Sequence, residues 1–157
     1  MNARLTLFGN RTANKVINSL ASTGGVVSAT GLPVATQELV KIRASQINGC
    51  GFCLDMHSKE AAAAGEDTTR LHLVAAWREA TVFTDAERAA LELTEQGTRI
   101  ADASGGVTDE AWADAAKHYD EEQLIGLVSL IATINAFNRL NVMTQQPAGS
   151  YRVGQFS

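Results

Sequence analysis

Ile42-Arg43-Ala44-Ser45-Gln46-Ile47-Asn48-Gly49-Cys50-Gly51-Phe52-Cys53-Leu54-Asp55-Met56-His57 joins the end of one helix to the start of another. Asn48-Gly49 is a stop signal, because glycine takes up φ > 0 without a Cβ penalty and closes a helix C-terminus. The residues after it read as a second helix that starts at Cys50, continues through Ala61-Ala62-Ala63-Ala64 and stops at Gly65. Helix, glycine turn and helix together predict an antiparallel hairpin. The whole chain extends this pattern: there are only two prolines in 157 residues, alanine and leucine are frequent, and period-2 alternation is absent over any useful length. The expected fold is all-α.

Working outward, the helix before the turn is expected from Thr36, as N-cap, to about Ile47, and an earlier one from Asn14 to Ala21, ending near Gly24-Gly25. On the other side, Thr68 or Thr69 is expected to cap a short helix carrying Leu71, Val74 and Ala75. Thr84 and Glu87 form a capping box that opens a helix to about Ile100. Thr108-Asp109-Glu110 starts another that reaches His118, and Asp120 begins a last long helix to about Leu140. With no internal repeat and no low-complexity linker, residues 1–157 read as a single domain, with the chemistry in 36–65 and an irregular tail over 147–157.

Composition excludes several classes. With 13 basic and 17 acidic residues, a net charge of −4 and no Lys/Arg block, the chain offers little to hold a phosphate backbone, so no nucleic-acid partner is expected. Leu124 to Phe137 is the most apolar run, but Gly126, Ser129, Thr133 and Asn135 interrupt it and it falls short of the roughly 20 residues a bilayer span needs. It reads as a buried helix, with no membrane association. Met1 to Lys15 has no apolar core of the secretory type, so a cytoplasmic location is expected.

The only two cysteines, Cys50 and Cys53, stand three apart with His57 four residues further on. On a helix all three side chains leave from one stripe. A link across three residues closes almost no loop, so it adds little stability, and in a reducing compartment such a pair reads as redox-active or metal-binding. A helix N-terminus and a neighbouring histidine both favour a thiolate. Cys53, with His57 at i+4, is the expected nucleophile. Cys50 is placed to condense with its sulfenic acid and leave a disulfide. A carboxylate on the second ring nitrogen would orient His57, and Glu38 falls at a matching height across the hairpin.

Glu38, Cys50-Gly51-Phe52-Cys53 and His57, with twelve residues from the glutamate to the first cysteine, resemble the alkyl hydroperoxidase D-like family within the carboxymuconolactone decarboxylase superfamily. Ile42 to Ala64 carries the strongest likeness, and Ile134-Asn135-Ala136-Phe137-Asn138-Arg139-Leu140 is similar too. The resemblance implies an all-helical fold assembled as a homotrimer or homohexamer. It also implies reduction of hydrogen peroxide or a small organic hydroperoxide by Cys53, resolution by Cys50, proton relay by His57 and Glu38, and an external dithiol or dihydrolipoyl reductant in place of a bound cofactor. One position departs: peroxidase members carry a histidine directly before the second cysteine, whereas this chain has Phe52, which transfers no proton.

Other readings of the same residues stand beside this one. The disulfide would equally serve a non-enzymatic redox sensor or partner-binding protein, and Cys50, Cys53 and His57 would supply three zinc ligands. Lactone chemistry of the decarboxylase branch is a further alternative, although those enzymes lack the cysteine pair. His72 and His118 read as surface or interface residues, and Trp77, Phe83, Trp112 and Phe137 as core or subunit contacts. Asp55 and Glu60 read as solvent-facing charges. Asn135, Asn138 and Arg139 are open between capping, inter-subunit and substrate contacts.

Overall fold

The computed structural model describes residues 2–156, among which there are seven α-helices and no strand. They are α1 (Arg11–Ala29), α2 (Val34–Asn48), α3 (Gly51–Ala63), α4 (Thr68–Leu73, continued by a 3₁₀ turn over Val74–Ala76), α5 (Asp85–Thr98), α6 (Asp109–His118) and α7 (Glu121–Thr144). The order agrees with the sequence reading; several ends do not. α1 runs straight through Gly24-Gly25 and stops at Thr30-Gly31, because it lies along α7 and buries Val27 there. That packing outweighs the roughly 1 kcal/mol each glycine costs in a helix. α2 begins after Pro33 and not at Thr36, which is buried in the first turn. Proline has a fixed φ and no N–H to leave unpaired, which suits it to a helix start. Asp67, and neither threonine, caps α4. The capping boxes at Thr84 and Asp120 are both formed.

α2 is the hub. Val40 faces one apolar core, with Leu32, Val27 of α1, Leu93 of α5, Tyr119, and Leu127 and Ile131 of α7. Leu39 and Ile42 face a second, with Ala61 of α3, Val74, Trp77, Phe83 and Leu91 of α5. The helix therefore contacts α3, α5 and α7 at once. α7 extends past Leu140 to Thr144, where Gln145 closes it in the left-handed region at φ 54°. α7 is long and apolar enough to cross a membrane by length and composition alone, being longer than its apolar run suggested; here Leu127, Leu130, Ile131 and Ile134 face the interior. At Gly126 a Cβ would sit 2.5 Å from the Thr30 hydroxyl, so only glycine admits the end of α1 this close.

Glu95 ties the second core together. Its carboxylate accepts hydrogen bonds from Arg43 of α2, the Trp77 indole, Arg78 and Arg99. Burial alone would raise its pKa, but these donors outweigh burial and hold it at about 2. A carboxylate depressed in the folded state stabilises fully above its unfolded value, and that contribution is lost as the pH falls through the folded one. Glu95→Gln should therefore lower unfolding free energy by about 2–4 kcal/mol at neutral pH. In urea denaturation, the gap between wild type and variant should shrink between pH 4.5 and about 2.

Candidate functional site

The turn between α2 and α3 is made by Gly49 at φ 66°, whose N–H returns to Gln46 and Ser45. It is held from behind by α7. The Asn48 side-chain amide donates to Asn135 Oδ1 at 2.8 Å and Asn138 Oδ1 at 2.9 Å, and Asn138 Nδ2 donates to Ser45 Oγ at 3.0 Å. Asn135 Nδ2 donates to Thr98 Oγ1 of α5, and Arg139 donates to Asn135. The three residues left open by the sequence thus serve as a clamp on the turn. A buried amide without a partner costs more than one never present, so the set holds as a unit.

Cys50 is the N-cap of α3, and its Sγ accepts from the Cys53 N–H at 3.3 Å. Cys50 and Cys53 are joined as a disulfide with Cα atoms 5.4 Å apart, and both residues are 1% exposed. Asn141 of α7 points its Nδ2 at Cys53 Sγ from 3.4 Å. One turn beyond Cys53, His57 Nδ1 lies 3.0 Å from Glu38 Oε2 across the hairpin. The other Glu38 oxygen pairs with Lys41 Nζ at 2.7 Å. Burial pushes the Glu38 carboxyl up, but His57 and Lys41 more than offset it, so the group lies below its ordinary value and remains an anion. A carboxylate on Nδ1 fixes the ring and leaves Nε2 to exchange protons.

Cys53, His57, Glu38, Lys41 and Asn141 all line one cleft of about 740 Å³ between α1, α3 and α7, with Cys53 the disulfide's contribution to its wall. Met56, Ile134, Phe137 and Leu140 supply apolar surface, so Phe137 belongs to the cleft as well as to the packing of α7. Asp55 and Glu60 are not solvent-facing charges. Asp55 accepts from the N–H groups of Gly149 and Tyr151, and Glu60 from Gly154 N–H and the Tyr151 hydroxyl. Through them the tail after Gln146 is seated along α3. Tyr151, buried against this carboxylate, is pushed up to about 12. His72 and His118 are exposed and away from the cleft, as is Trp112, whereas Trp77 and Phe83 are buried. Among the described residues no three His, Cys, Asp or Glu side chains converge as a metal-binding group.

Lys41, Asn141 and the seating of the tail on α3 escaped the sequence reading. Lys41 had a signal, since it follows Glu38 by three residues. So did Asn141, the third member of an i, i+3, i+6 asparagine series on an apolar helix.

The carboxymuconolactone decarboxylase family profile matches residues 19–96, a span holding Glu38, both cysteines and His57. YdfG of Bacillus subtilis (strain 168), an uncharacterized protein, is 44% identical over 115 residues, covering 73% of this chain and 77% of YdfG. YnjA of Escherichia coli (strain K12), also uncharacterized, is 32% identical over 117 residues, 74% of this chain and 63% of YnjA. The fold is similar to the crystal structure of an Agrobacterium tumefaciens protein of unknown function, a candidate antioxidant defence protein AhpD. The TM-score is 0.86 at 30% identity, over 96% of this chain and 100% of that one.

Asn141 stabilises charge on Cys53 Sγ if that sulfur is a thiolate once the disulfide is reduced. In a Cys50→Ser background, Asn141→Ala should slow alkylation of Cys53 at pH 7 several-fold and move the alkylation midpoint to higher pH. The pH dependence of iodoacetamide modification measures both.

Proposed function

This chain belongs to the carboxymuconolactone decarboxylase family, and from that membership and the Cys50–Cys53 pair we propose that it is a thiol-dependent peroxidase acting on hydrogen peroxide or an organic hydroperoxide. One observation carries the reading: a disulfide whose Cys53 lines a cleft together with a histidine held by a half-buried carboxylate. That is the arrangement a peroxide reaction needs, since the nucleophile must lose a proton and the leaving oxygen must gain one.

The cycle balances as follows. The reduced Cys53 thiolate attacks the terminal oxygen of ROOH, the O–O bond breaks, and ROH leaves with a proton delivered through His57. Cys53 is now a sulfenic acid. The Cys50 thiol condenses with it, releasing water and forming the disulfide. A dithiol reductant then exchanges with the disulfide, returning two thiols and leaving as its own disulfide. Glu38 keeps the His57 ring in place and balances its charge when it holds a proton; Lys41 keeps Glu38 ionised. With both sulfurs buried, the reductant must be slender, such as a dihydrolipoyl arm or a small dithiol.

The test is a free-thiol count with intact mass on reduced protein, before and after one equivalent of hydroperoxide. Wild type should lose two thiols and about 2 Da, the two hydrogens that disulfide formation removes, whereas Cys50→Ser should stop at a trappable sulfenic acid on Cys53. Unreactive thiols, or oxidation at Cys50 in Cys53→Ser, would overturn the assignment. Glu38→Gln should lower kcat/KM for peroxide by about 10²-fold or more, the usual scale for general acid–base catalysis.

A further inference from the structure

The tail is tied to the site helix at each end of one face. Asp55 takes the N–H groups of Gly149 and Tyr151 at 2.7 and 3.0 Å, Lys59 donates to the Tyr151 carbonyl at 2.9 Å, and Glu60 takes the Gly154 N–H at 2.9 Å. These bonds deliver Phe156 to the mouth of the cleft. There its ring stacks on Phe8 at 4.8 Å and 16°, and Phe8 stacks on Phe52 at 5.5 Å and 28°. Phe52 is the residue immediately before Cys53. Phe8 and Phe156 are 38% and 48% exposed, Tyr151 lies 5.8 Å from Phe156, and all three phenylalanines line the cleft.

We propose that the Phe52–Phe8–Phe156 stack is a specificity subsite for an aromatic ring, so that the cleft selects hydroperoxides bearing an aryl group over aliphatic ones. The chemistry of this selection rests on the peroxidase reading; the ring-binding site itself does not. A cleft of about 740 Å³ is far larger than hydrogen peroxide and falls within the range of roughly 300–1,000 Å³ typical of sites for drug-sized ligands. An aliphatic group would gain only buried area against these rings, whereas an aryl group adds offset stacking. An aryl ring on the stack would occupy the same cleft that Cys53 and His57 line. Phe156, Phe8 and Phe52 are thus specificity-determining and take no part in proton or electron transfer.

Two readouts test it. The first is binding of 2-phenyl-2-propanol, the unreactive alcohol product of cumene hydroperoxide, to the oxidised protein, followed by NMR of the phenylalanine rings. Saturable shifts at Phe8, Phe52 and Phe156, weakened in Phe156→Leu, are expected. The second is the ratio of kcat/KM for cumene hydroperoxide to that for tert-butyl hydroperoxide. Phe156→Leu keeps the apolar bulk and loses the ring face, and should lower the ratio about two- to tenfold. Trp112→Leu, on the exposed face of α6 outside the cleft, should leave it at the wild-type value. Turnover of both peroxides with equal ratios in wild type and Phe156→Leu would overturn the subsite while leaving the peroxidase reading intact. Alcohol binding at the three rings without turnover of either peroxide would support the subsite and overturn the peroxidase reading. Absence of alcohol shifts at the rings overturns the subsite whatever the turnover.

Discussion

A single side-chain amide, that of Asn48, is shared between two asparagine carbonyls on α7 and pins the last residue of α2 against that helix. From that point the geometry is forced. Gly49 turns the chain, Cys50 caps α3, and the pitch of α3 then sets Cys53 and His57 one turn apart on the face that meets Glu38. Each hydrogen bond in the clamp contributes only about 1 kcal/mol net. Its weight comes from the alternative, since Asn138 is wholly buried and its Oδ1 would lose its donor if Asn48 were displaced.

The electrostatics of the cleft follow from the same placement. Glu38 is an anion in a partly buried setting, which is costly unless it is paired. It is paired twice, to Lys41 along its own helix and to His57 across the hairpin. The pair with Lys41 needs only α2; the pair with His57 needs the turn. Asn141 adds a neutral donor to Cys53 Sγ, so that charge developing on that sulfur would meet an oriented dipole with no further mobile cation required.

Much of this was legible in the sequence because it is local. Capping boxes, the Asn48-Gly49 stop and the i, i+3, i+7 relation of Cys50, Cys53 and His57 depend on neighbours in the chain, and the Glu38–His57 register follows once the turn is fixed. What sequence reading missed is tertiary. Gly24-Gly25 looks like a stop and is overridden by the packing of α1 on α7. Asp55 and Glu60 look like surface charges, and only the returning tail gives them backbone N–H groups to hold, over more than ninety residues of chain. Asn135 and Asn138 of α7 were left open for a sound reason: their partners lie on α2 and α5, far away in sequence.

The position of α2 between two cores has a bearing on how freely this sequence can vary. Val40 belongs to one core while Leu39 and Ile42 belong to the other, so no side of that helix is free to drift. A change of volume there is felt on both sides, and compensation in one core does nothing for the other. α6 is different, with Ala111 and Ala115 as its buried residues and the remaining positions open to solvent. Homologous chains that keep this architecture are therefore expected to diverge early on α6 and on the outer face of α1, and to retain α2 as the slowest-changing helix of the molecule.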